Sequence, residues 1–227
     1  MKRIMQSLAA IVLLLSVHFA HAQTPQVKLD ENMVPCQNLL KQILSKTRQI
    51  KDISELYNSV NELKRVGKMY PAEWLPDYYT SLFDMKLALS GKADKKDDLL
   101  KEAKEKIDAL SKNAGANASE VATLSGYYYY VMIALNPETN GQKYYKDVIS
   151  NYQKAINLDG KNPRPQLLLA IFQNNMASFM KEKDNNFCAN LKKLETAFSE
   201  FTPKSEVDPS WGMGELKNAQ RTSCAQQ

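Results

Sequence analysis

From about residue 34 onwards, apolar side chains recur at helical spacing along nearly the whole chain. Leu39, Leu40, Ile43 and Leu44 predict a helix over 34–45. Leu56, Val60, Leu63 and Val66 predict a second over 52–67, with Gly67 near its stop. Beyond Pro71 the pattern falls into pairs of helices: 72–89 with 95–110, 119–135 with 144–158, and 165–180 with 187–201. Polar or glycine-containing breaks at 90–91, 136–141 and 183–186 separate the partners. A final, more polar helix over 210–222 follows Pro209 and suits a cap, whose outer face must meet water.

Pro71, Asn117, Pro163 and Pro209 fall at one interval of 46 residues, each closing one helical pattern and opening the next. Leu63/Val66, Ile107/Leu110, Tyr152/Ala155 and Phe198/Phe201 keep nearly the same beat. A period of this size is the mark of stacked helical repeats. The run from Tyr127 to Leu135 would pass for a buried strand on propensity alone. The register makes it helical, because Leu82 and Phe83 stand 46 residues before Tyr128 and Tyr129 and no other strand-like run exists to pair with it. The predicted fold is therefore all-α, a solenoid of about four helical hairpins with a C-terminal capping helix, in one domain over 34–227.

The N-terminus changes the compartment. Lys2 and Arg3 precede an apolar run from Leu8 to Phe19, and Ala20, His21 and Ala22 form a small-residue cleavage site before Gln23, the layout of a secretory signal over 1–22. The apolar run is shorter than the roughly 20 residues of a membrane span. Residues 23–33 read as a flexible lead. No cysteine follows the apolar run directly, which argues against a lipid anchor, and no further stretch reads as a membrane segment. Both histidines, His18 and His21, leave with the signal. A chain without histidine cannot build Ser-His or Cys-His nucleophile pairs or histidine-based zinc sites. The processed chain carries 28 Lys and Arg against 25 Asp and Glu, interleaved along helices as on solvated faces, so no nucleic-acid footprint exists.

Tyr152, Ala155 and Gly160, with Val148 four residues before the aromatic, form the frame with which a tetratricopeptide repeat ends, and Asn162 and Pro163 open the next unit. Ala103, Ile107, Leu110 and Gly115 repeat that frame, as do Leu194, Phe198 and Phe201. From Asp52 onwards the chain resembles that family, with a unit of 46 residues in place of about 34 through longer turns. Trp74 to Tyr79, Asn162 to Arg164 and Trp211/Gly212 also resemble segments of exported helical-repeat proteins of the Bacteroidota. The resemblance implies architecture, compartment and a concave groove lined by the first helix of each pair.

Three cysteines in an exported chain allow three single bridges. Cys188 and Cys224 lie at one end of such a stack and Cys36 at the other, so the expected disulfide is Cys188–Cys224, the alternative being three buried thiols. Cys36 lacks a partner for catalysis. Tyr128, with Leu124, Val131 and Leu135, reads as packing, and Trp74, with Leu75, Tyr78 and Leu82, as core. Trp211 is expected to plug the last helix onto the stack. Tyr129 and Tyr130 share the face that the resemblance assigns to the groove and, with Tyr79, are the candidate partner-binding residues, the alternative being inter-repeat packing. Glu73, Glu120 and Asp159 are carboxylates that nothing in the sequence brings to a defined separation. Asp184 and Asn186 hint at a calcium loop without its glycine or closing glutamate. No cofactor or metal is expected.

These readings converge on a non-enzymatic protein, exported to the periplasm or secreted, that binds a peptide or partner protein in its groove. The alternatives are a glycan or small-ligand binding protein, a carboxylate-based hydrolase, and a purely structural envelope protein.

Overall fold

A computed structural model describes residues 33–182 and 186–224. The expected signal, its cleavage site at Ala22 and Gln23, the lead up to residue 32, and Asp184 lie outside the described residues. Nine α-helices and one 3-10 turn, with no strand, make up the described residues. They are α1 (Met33–Thr47), the turn Ile53–Glu55, α2 (Leu56–Met69), α3 (Leu75–Leu89), α4 (Lys96–Leu110), α5 (Ala118–Leu135), α6 (Pro137–Leu158), α7 (Pro163–Phe179), α8 (Phe187–Glu200) and α9 (Met213–Ser223).

Two marks of the 46-residue beat, Asn117 and Pro163, fall at helix starts, while Pro71 and Pro209 lie ahead of the helices they precede, α3 and α9. Asn117 caps α5, its side chain accepting from the backbone N–H of Ser119 and Glu120, and Asn162 caps α7 by accepting from Arg164 N–H, with Pro163 at the first helical position. One expected break is absent. The stretch 136–141 is a helix start, since Asn136 accepts from Thr139 N–H, Pro137 takes the first helical position and Glu138 sits at the positive end of the helix dipole. Three helices also begin later than their patterns predict, α2 at Leu56 behind the 3-10 turn, α3 at Leu75 and α9 at Met213.

Successive helices pack as neighbours, and α3, α5 and α7 also touch in sequence to form an inner row. Leu99, Leu100, Ala103, Ile107 and Leu110, the stripe that predicted α4, are all buried. So are Val148, Tyr152 and Ala155, the aromatic-to-alanine frame on α6. Gly126 makes that frame work: a Cβ there would stand 2.6 Å from the Tyr152 ring, so only glycine lets the ring lie against α5.

The C-terminal part runs back across the inner row. Tyr79 on α3 donates its hydroxyl to Val207 O at 2.8 Å, and Val207 belongs to the main core with α1 to α5. Glu206 pairs with Lys41 on α1. Trp211 packs beside Tyr127, and Lys86 of α3 reaches Glu215 of α9 at 2.9 Å. Helix α9 does pack on the last pair, through Leu216 and Ala219 against Leu167, Leu191 and Leu194. Cys188 and Cys224 are disulfide-bonded with Cα atoms 5.8 Å apart, and Cys36 is a buried free thiol.

Candidate functional site

Ring contacts divide the tyrosine run of α5, half-buried throughout, into two groups. Tyr127 and Tyr130 lie one helical turn apart and stack with centroids at 6.1 Å and planes at 17°. Tyr130 also meets Phe172 of α7 edge-on at 6.2 Å. Tyr129 turns the other way, beside Tyr128 and against Tyr144 of α6 at 5.3 Å, with Lys143 over the Tyr144 ring. Tyr129 and Tyr130 therefore do not form one patch. Tyr79 is 5 % exposed and spends its hydroxyl on Val207, so it is a packing residue rather than an open anchor. Trp74 is half-buried against the core that holds Leu75, Tyr78 and Leu82, and Trp211 joins α9 to the inner row, as its sequence position predicts.

The group around Tyr127 and Tyr130 lines a cavity of about 350 Å³ between α5, α7 and α9, completed by Tyr152, Leu168, Asn175 and Thr222 among others. The Tyr152 hydroxyl is fully buried and has no hydrogen-bond partner. Burial, and then the neighbouring Tyr127 and Tyr130, raise its phenol well above the ordinary range. It is therefore a neutral O–H donor without an acceptor, on the wall of a tyrosine-lined space. Burial raises the Tyr130 phenol, and the Asn175 side chain beside it opposes that push. The sequence signals this space only through Tyr152, which reads as a repeat-frame residue, and through the one-turn spacing of Tyr127 and Tyr130.

A second group sits at the N-terminal ends of α5 and α7. Glu120 and Arg164 form a buried ion pair, with Arg164 Nε at 3.0 and 3.2 Å from the two carboxylate oxygens and Nη2 also on Oε1. Glu120 further accepts from Tyr78 Oη at 2.7 Å and from Asn162 Nδ2 at 2.7 Å. Trp211 Nε1 donates to Tyr78 Oη at 2.8 Å, so the segment before α9 is tied to the pair through one phenol. The Arg164 guanidinium lies over Phe201 at 4.6 Å. Glu120 thus serves as a counter-ion with its oxygens fully engaged, and Asp159 accepts from Lys161 N–H. The two do not form an acid/base pair. Burial, reinforced by Glu73, pushes the Cys36 thiol up to about 11, which makes it a poor nucleophile. Among the described residues no helix is long and apolar enough to cross a membrane, and no cluster of three His, Cys, Asp or Glu stands ready for a metal ion.

No family model and no curated protein matches the sequence. Among solved structures the fold is similar to the HusA haemophore from Porphyromonas gingivalis. The TM-score is 0.70 at 18 % identity, over 80 % of this chain and 89 % of that one. At this identity the likeness concerns the fold, and it takes in nearly the whole of the haemophore.

Proposed function

We propose that this protein is an exported, non-catalytic carrier that binds a flat, largely apolar ligand of the porphyrin class in the tyrosine cavity between α5, α7 and α9. The stack is tetratricopeptide-like in this reading, with its first 22 residues removed on export. The observation that carries the proposal is the unpartnered Tyr152 hydroxyl beside the stacked Tyr127 and Tyr130 rings. Such a wall offers ring faces for stacking and a neutral donor for an acceptor on the ligand. The fold likeness to a haemophore supports the same ligand class. The disulfide fits an oxidising compartment.

The small-ligand form is favoured over a peptide laid along the groove because the chain's own segment 202–212 lies on the inner row. The ring faces of Tyr127 and Tyr130 suit a flat ligand such as haem. The described residues hold no histidine. The phenols of Tyr127, Tyr130 and Tyr152 are all raised by burial, so they meet a ligand as neutral hydroxyls.

Haemin titrated into the purified protein tests this, followed by the Soret band and by tryptophan quenching. Binding in the micromolar range is expected, weakened about tenfold or more by a Tyr127→Ala/Tyr130→Ala double variant. Tyr152→Phe should weaken it by a smaller factor. A haemin spectrum unchanged by the protein, or equal affinity in parent and double variant, refutes the assignment.

A further inference from the structure

The Glu120–Arg164 pair leaves one group unaccounted for. Arg164 is 1 % exposed and its Nε and Nη2 are engaged by Glu120, yet Nη1 is buried with no partner. A guanidinium keeps its charge at any physiological pH, so this nitrogen cannot relieve its burial by losing a proton. Two N–H donors withheld from water without an acceptor carry a desolvation cost that native proteins rarely leave standing.

Arg164 lines a cleft of about 710 Å³, and this cleft shares no residue with the tyrosine cavity. Trp74 and Phe201 supply aromatic walls. Exposed Lys161 and Lys204 stand on its rim, and neither makes an ion pair among the described residues. Of the nearby acids only Glu120 is ion-paired among the described residues, with Arg164, while Asp159 accepts from Lys161 N–H and Asp208 from the Ser205 hydroxyl. Glu200 also lines the space, so a bare multivalent anion would meet repulsion there.

We propose that this cleft is a second ligand site, specific for a single carboxylate carried on an apolar or aromatic body. The carboxylate meets Arg164 Nη1, the body lies against Trp74 and Phe201, and the rim lysines draw the ligand in. A free organic acid and the C-terminal residue of a short peptide share this chemistry.

The test uses the purified protein and N-acetylphenylalanine, its amide, and acetyl-Ala-Ala-Phe, with binding read from the NMR signals of the Trp74 indole N–H and the Arg164 Nε–H. The acid should shift both signals, and the amide should bind about tenfold or more weakly, as loss of a charge-assisted hydrogen bond requires. A Lys161→Gln/Lys204→Gln variant, altered only on the exposed rim, should weaken the acid and leave the amide unchanged. The tripeptide binding as well as or better than the acid identifies a peptide C-terminus as the ligand, whereas weaker binding identifies a free acid. Equal affinity for acid and amide overturns the proposal. So does an absence of shifts at both reporters up to about 10 mM acid. Haemin binding, read separately on the same samples, is independent of either result.

Discussion

Asp84 sits in the middle of α3 with 0 % exposure, and neither carboxylate oxygen has a hydrogen-bond partner. Burial raises its pKa from the ordinary 3.8 to about 7. Glu102 adds to that rise, while Lys64 and Lys106 oppose it. Because the folded-state pKa is the higher one, the folded chain holds a proton between about pH 4 and 7 that the unfolded chain has released. Stability is therefore greatest at the acid end of this window and falls as pH rises, by about 1.4 kcal/mol per pH unit, before levelling off above the folded pKa. The full span is on the order of 4 kcal/mol. Asp84→Asn removes the titration while keeping the shape. Urea unfolding at pH 5, 6, 7 and 8 gives the stability of each protein, and subtracting parent from variant cancels the other titrating groups. The difference should grow in favour of the variant by about 2 to 3 kcal/mol between pH 5 and 8. A flat difference curve would show that water or a rearranged lysine reaches Asp84 and that its burial is not maintained in solution.

Two glycines in helices should respond oppositely to alanine. Gly126→Ala drives a Cβ to 2.6 Å from the Tyr152 ring and should cost about 1 to 3 kcal/mol. Gly141→Ala in α6, with nothing within 4 Å, should gain about 0.5 to 1 kcal/mol. Thermal unfolding reads both. The Cys188–Cys224 bridge closes a loop of 36 residues, so Cys188→Ser/Cys224→Ser should lose about 4 kcal/mol on the chain-entropy account. Hydrogen exchange in that variant should rise first in α9, which packs mainly on α8.

The helices were legible because their apolar spacing is regular, and the interval from Asn117 to Pro163 marked where inner-row helices begin. In sequence the Asn136–Pro137 start reads as a break, because its residues favour turns as strongly as they favour a cap and first helical position. The tyrosine run was legible as helix but not as surface, since which side of α5 each ring takes depends on Phe172, Tyr144 and Trp211, all distant in sequence. The buried pair escaped for a physical reason. Charged residues are ordinarily solvated, and Glu120 and Arg164 become a core contact only because segment 201–212 folds over them. That segment has no helical period to announce it; its clearest cues are Val207 and Trp211 in an otherwise polar stretch.

The Glu120–Arg164 pair is also what holds that segment on the inner row. Glu120 accepts from Tyr78, Tyr78 accepts from Trp211, and Arg164 faces Phe201, so both ends of the returning chain lead to one carboxylate. Glu120→Gln keeps the shape and deletes the charge, leaving a buried guanidinium without its counter-ion. The cost of breaking such a pair from one side is about 3 to 5 kcal/mol. If the pair only fills space, the loss stays near that of one neutral hydrogen bond, about 1 kcal/mol, and Trp211 keeps its surroundings. If it anchors the segment, Trp211 becomes wetter. In a Trp74→Phe background, where Trp211 is the sole tryptophan, its emission should then shift to the red and become more accessible to iodide. A second change, Arg164→Met alongside Glu120→Gln, should recover part of the stability by removing the unpaired charge, while the emission stays red because Tyr78 still lacks its carboxylate acceptor. Emission unchanged in the single variant would place the anchor elsewhere, on Tyr79 and Val207, and make the ion pair a passenger of the fold.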